Sequence, residues 1–81
     1  MFINKTKDGK NNISGANIAL LRKDAGISQR ILADKMQLAG IDMDKNAVQR
    51  IEAGKRFVTD IELAVFAKVL NVTVADLLKD K

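Results

Sequence analysis

Lys45, Asn46, Gln49 and Arg50 project outward from one short stretch, KNAVQR, and put two cationic and two amide tips together. Such side chains read base edges. Arg or Lys donates to guanine O6 and N7, and Asn or Gln pairs bidentately with adenine N6 and N7. An ordinary surface helix mixes acids with bases for solubility, whereas this stretch shows amides and bases. An α-helix also fits the width of the major groove. Lys55 and Arg56 follow at once, beside the start of a later helix, where cations and exposed N–H groups suit phosphate. Gln29 and Arg30 stand likewise in the first turn of an earlier helix. A plain solvated polar face accounts for the same residues without any ligand, so residue types alone leave both readings open.

The elements that must position these groups read as helical throughout. Ser14-Gly15 is expected to cap a first helix with apolar positions Ile18, Leu21 and Ala25, and Gly26 suits its left-handed end. Ser28 caps a second helix, from Gln29 to about Leu38, with Leu32, Ala33 and Met36 on one face. Asp44, or Asp42, caps a third from Lys45 to Ala53 that buries only Val48 and Ile51, and Gly54 stops it. Thr59-Asp60-Ile61-Glu62 is a capping box opening a fourth helix through Leu70, with Leu63, Phe66, Ala67 and Leu70 inward. Asn71 is a candidate left-handed cap, and Thr73-Val74-Ala75-Asp76 starts a short fifth helix carrying Leu77 and Leu78. No segment alternates with period two for long enough to be a strand. Residues 1–12 are polar, with a turn signal at Asp8-Gly9, and read as a flexible basic arm; residues 13–81 form the folded domain.

Composition excludes much. Eighty-one residues, 47% apolar and 30% charged, make one small globular domain. Without Cys or His there is no disulfide, thiolate nucleophile, imidazole base or zinc site of the usual ligands. No metal, other cofactor or small-molecule ligand is expected. Without Trp or Tyr, and with only Phe2, Phe57 and Phe66, the chain lacks a platform for stacking single-stranded bases. No apolar run is long enough for a membrane span or resembles a secretion signal, so a cytoplasmic, nucleoid-associated location is expected. Net charge is +4. Residues 1–30 hold six bases against two acids, residues 31–58 five against four, and residues 59–81 three against four. The excess lies near the N-terminus, either as a solvated tail or as an arm that touches phosphates.

Residues 18–78, through IALLRKDAGISQRILADKM, NAVQRIEAGKR and IELAVFAKVLNVTVADLL, resemble the lambda-repressor-like, or Xre-type, helix-turn-helix domain. LRKDAGISQ, LADKM, QRIEAGKR and LNVTVADLL are each weak signals alone, but they occur together and in order. The resemblance implies an all-α fold, a compact bundle of five short helices containing a helix-turn-helix, and double-stranded DNA as partner. It implies that Lys45, Asn46 and Arg50 face bases, with Gln49 at the edge. Gln29, with Arg30 beside it, would touch the DNA backbone, and Lys55 and Arg56 would grip phosphates. Arg22 and Glu52 fall where family members keep a buried ion pair tying the first helix to the third. Two departures stand out. QLAGIDMD replaces the usual tight turn, so either the second helix runs on to Leu38-Ala39 or a wider loop packs Ile41 or Met43 into the core. Ala53 occupies a position where a polar residue is common.

Ile61, Val65 and Val69 form a second apolar stripe. They are either a wide buried face or, with Leu77 or Leu78, a homodimer interface. Two-fold pairing suits a reader of paired half-sites. Ile31 is apolar where the motif is normally polar and could cover the longer loop. The function expected is therefore a sequence-specific transcriptional regulator, a repressor acting as a homodimer. The alternative is an antitoxin or other protein-interaction module on the same fold. Catalysis is not expected, because the closest carboxylate pair, Asp42 and Asp44, is better explained by capping.

Overall fold

The computed structural model describes residues 5–79. Its regular structure is α1 (Ser14–Asp24), α2 (Gln29–Leu38), α3 (Lys45–Glu52), α4 (Asp60–Val69) and α5 (Val74–Leu77), with no strand among the described residues. None of these helices is long and apolar enough to cross a membrane. Four of the five begin where a short polar side chain accepts from an otherwise unpaired backbone N–H. Ser28 takes the Ile31 N–H, Asp44 that of Ala47, Thr59 that of Glu62 and Thr73 that of Asp76. The last two are reciprocal boxes, Glu62 and Asp76 accepting in return from the backbone of Thr59 and Thr73. Asn71, after α4, holds the left-handed backbone (φ 58°) that ends the helix.

α1 differs from expectation at its start. Ser14 is already helical and buried, and it makes no cap. Asn12 Oδ1 instead accepts from the Gly15 N–H at 2.8 Å. Of the expected stripe, Ile18 is fully buried and Leu21 partly so, while Ala25 is exposed.

α2 packs on α3 and α4, α1 on α3 and α5, and α4 on α5. They enclose Ile18, Leu32, Ala33, Met36, Met43, Val48, Ile51, Phe66, Ala67 and Leu77. Each fully buried Leu, Ile or Phe contributes about 1.5–3 kcal/mol. Leu77 is therefore core, not interface: it is the buried side chain of α5, a single turn. Val65 and Val69 are half-buried against the same core, whereas Ile61 and Leu78 stay exposed. Asn17, also buried, donates to Leu77 O (2.8 Å) and Lys79 O (2.9 Å) and ties α1 to the end of α5.

Both ways of absorbing the longer turn are used. α2 runs to Leu38, and the residues after it insert Met43 fully and Ile41 partly into the core. Two bonds set the path: Ile41 N–H to Met36 O (2.9 Å) and Gln37 Nε2 to Met43 O (2.9 Å). Ile31 is not buried beneath this loop; it remains 44% exposed.

The N-terminal segment departs most from the reading as a flexible arm. Residues 1–4 lie outside the described residues, but residues 5–12 form a turn tied to the body. Thr6 N–H bonds Lys10 O (2.8 Å), Gly9 N–H bonds Thr6 O (2.9 Å), and Asn11 N–H bonds Gly54 O (2.8 Å). The polar composition that suggested a free chain supplies donors for the open carbonyls after α3.

Candidate nucleic-acid interface

α3 divides cleanly around its axis. At 3.6 residues per turn, Lys45, Asn46, Gln49 and Arg50 fall within about 140° of arc, and Val48 and Ile51 lie on the opposite side. Val48 and Ile51 are fully buried, and the other four are exposed. The side chains of those four take part in none of the hydrogen bonds or ion pairs among the described residues. Their donors and acceptors are open to a ligand. Ala53 projects from the middle of the same arc and adds no polar group. Beside α3, a shallow cleft of about 370 Å³ runs between α2 and α3, lined by Arg30, Asp34 and Gln37 on one side and Asp44, Lys45 and Asn46 on the other.

Three attachments hold this face in place. The first is the Glu52 carboxylate. Arg22 Nε donates to Glu52 Oε2 (2.7 Å) and Nη2 to Oε1 (3.1 Å), while Gln29 Nε2 also donates to Oε1 (2.9 Å). Arg22 Nη1 reaches Ile27 O (2.9 Å) as well. One carboxylate thus joins α1, the start of α2 and the end of α3, with the pair's side chains only 11% and 8% exposed. Gln29, expected at the DNA backbone, is half-buried and has committed one amide hydrogen to this network.

The second is direct contact between α1 and α3. A Cβ on Gly15 would overlap Ile51 O. Only glycine lets the first turn of α1 come this close to the last turn of α3.

The third is the segment after α3. Gly54 N–H bonds Ile51 O (2.9 Å) and Lys55 N–H bonds Arg50 O (2.8 Å), a helix-ending arrangement that uses Gly54 at φ 77°. Lys10's stem lies over Gly54, where a Cβ would come within 2.8 Å of it. Asn11 and Asn12 donate to the carbonyls of this segment. Sequence reading missed Asn11, Asn12 and Asn17, and took Gly15 only as part of a cap. Asn12 stands three residues before Gly15 and so carried a cap signal, but its other partners are 39 and 44 residues away.

Arg56 requires a correction. Expected to grip phosphate, it turns back on the chain, with Nη1 and Nη2 donating to Glu62 Oε1 (3.0 Å) and Oε2 (2.9 Å), and Nη1 also to Phe57 O (3.0 Å). The cause is Glu62, whose carboxylate the capping box already holds at the start of α4. Its hydrogen bond from Arg56 is the main reason the Glu62 carboxyl titrates below the usual carboxylate value, with the Thr59 N–H helping. The N-terminus of α4 is consequently closed by its own carboxylate rather than open to an anion. Lys55 remains exposed, and Arg30 stays exposed at the α2–α3 cleft.

A family model described as Helix-turn-helix matches residues 18–77. Two crystal structures are similar. One is the restriction-modification controller protein C.AhdI from Aeromonas hydrophila, 26% identical with a TM-score of 0.69, over 79% of this chain and 86% of that one. The other is the clp gene regulator ClgR from C. glutamicum, 27% identical with a TM-score of 0.71, over 82% of this chain and 79% of that one. No curated protein matches the sequence significantly.

Proposed function

The chain belongs to the lambda-repressor-like (Xre-type) helix-turn-helix family and is a DNA-binding transcription regulator, and from that premise we propose that it reads a specific duplex sequence by laying α3 in the major groove. Lys45, Asn46, Gln49 and Arg50 contact base edges. Arg30, Lys55 and the N-terminal turn of α2 with Gln29 meet the phosphates on either side. Arg56 serves the site indirectly, by fixing the connection that carries Lys55. The observation behind this reading is that α3 turns four amide and cationic side chains outward, none of them engaged by the described residues, while its other face is locked into the core.

The protein acts as a homodimer, since one helix reads too few base pairs for specificity and two-fold partners read half-sites about 34 Å apart. Ile61 at 67% and Leu78 at 44% exposure, with the outer edges of Val65 and Val69, offer the apolar surface for pairing. Occupying a site that overlaps a promoter suffices for repression. The deciding experiment selects bound duplexes from a random pool and titrates salt against the winner and a scrambled duplex. A selected, two-fold symmetric sequence that binds far more tightly than the scrambled one at every salt concentration is expected. Equal binding of both duplexes rejects the sequence-specific reading.

A further inference from the structure

We propose that Asn11 and Asn12 are positioning residues for DNA binding, a splint that holds the α3–α4 connection so that Lys55 meets the backbone in one fixed place. The proposal rests on the DNA-binding reading above. Asn12 does two separable things. Its Oδ1 caps α1 by accepting from the Gly15 N–H. Its Nδ2 spans a gap to the other end of the site, donating to Ile51 O (3.0 Å) in the last turn of α3 and to Arg56 O (2.7 Å) beyond it. Asn11 fills the interval, its backbone N–H bonding Gly54 O (2.8 Å) and its Nδ2 bonding Lys55 O (3.0 Å). Lys5 Nζ donates to the remaining Asn11 oxygen (2.9 Å) and holds that amide in orientation.

Every carbonyl from Gly54 to Arg56 is therefore taken by residue 11 or 12. On the opposite side the Arg56 fork pins the same connection to α4. Of the three residues whose carbonyls are held, 54 to 56, Lys55 alone is exposed. A helix cap requires only the Oδ1 bond; the four bonds to residues 51–56 serve the connection. Such a preformed connection spares the ordering cost that a loose loop incurs on binding. Both asparagines precede the segment that the family model matches, which begins at residue 18.

The test uses the full chain with Asn11→Ser and Asn12→Ser combined. Serine is uncharged and keeps a capping oxygen for α1, but it is too short to span to the distant carbonyls. Ile18→Val, a core change away from the splint, controls for lost stability. Expected for the double variant are retained helix content by circular dichroism and faster amide exchange at residues 54–56. Losing one phosphate contact in each protomer lowers the salt slope of the dimer by about 1.8, which at 0.1 M salt is an affinity loss of about sixtyfold for selected and scrambled duplexes alike. Asn11→Ser alone, which spares the α1 cap, shifts affinity in the same direction. In a Lys55→Ala background the serine changes cost less than twofold further, because they act through Lys55. Additive losses in that background, or a double variant matching Ile18→Val in affinity and slope, overturn the splint and leave DNA binding intact. A wild-type protein that binds no duplex overturns the DNA-binding reading, and the splint with it.

Discussion

Arg50 and Lys55 are exposed cations five residues apart, and the proposed reading gives them different work. Arg50 belongs to the α3 face with Asn46, so Arg50→Ala or Asn46→Ala should cost about 1–3 kcal/mol per half-site of the selected duplex and relax preference at one base position in each. Lys55→Ala should weaken every duplex alike and lower the salt slope by about one for each protomer bound. Competition binding at two salt concentrations separates the two patterns, and equal losses on all sequences for all three variants would remove α3 from base reading. Glu62 gives a prediction in pH. Its folded carboxyl is held below its ordinary value of 4.5, chiefly by the Arg56 hydrogen bond. The stabilisation is thus complete above the unfolded value and is lost as pH falls through the folded one. Thermal melts in acid should show the wild type losing its advantage over Glu62→Gln across that window, and parallel melting curves at all pH values would contradict the assignment.

At the scale of elements, the close approach of α1 to α3 is the tightest constraint on the site. Gly15→Ala puts a methyl where Ile51 O already sits, so the two helices must separate. The expected cost is about 1–3 kcal/mol or more, with DNA affinity falling beyond what the lost folded population explains. Denaturant titration and binding measured on the same sample provide the check, and an unchanged stability would show that α1 can shift freely. Interactions within one turn of chain were legible in the sequence. Ser28, Asp44, Thr59 and Thr73 each cap a backbone N–H three residues on, and α2 through α5 begin as their spacing predicts. The start of α1 was misplaced because Asn12 and Ser14 are both competent caps and only packing against Ile51 decides between them. The outward face of α3 was legible from its few apolar positions. The commitment of Arg56 was not, because the Glu62 carboxylate already had a sufficient local explanation in the capping box. Asn17, bonded to residues 60 and 62 positions away, gave no local sign at all.

For the whole molecule, the distribution of charge and of apolar surface points the same way. The basic excess of residues 1–30 is not a remote tail: Lys5 and Lys10 are folded against residues 11 and 54, beside Lys55. The apolar stripe on α4 lies partly within the core and partly outside it, so of the residues read as a pairing surface Ile61, Leu78 and the rims of Val65 and Val69 are left in solvent. Ile61→Glu should leave the fold intact, because that side chain is already in water, and should convert dimer to monomer in sedimentation while weakening binding to a two-fold site. A dimer that persists in Ile61→Glu places the interface elsewhere. The asparagine splint also carries a consequence for synthesis. Asn11 and Asn12 are synthesised well before residues 51–56, so the α3–α4 connection cannot reach its final shape from a partial chain. Asn12 must wait for the carbonyls that complete it, and a chain cut short before Arg56 would carry α3 without the connection that places Lys55.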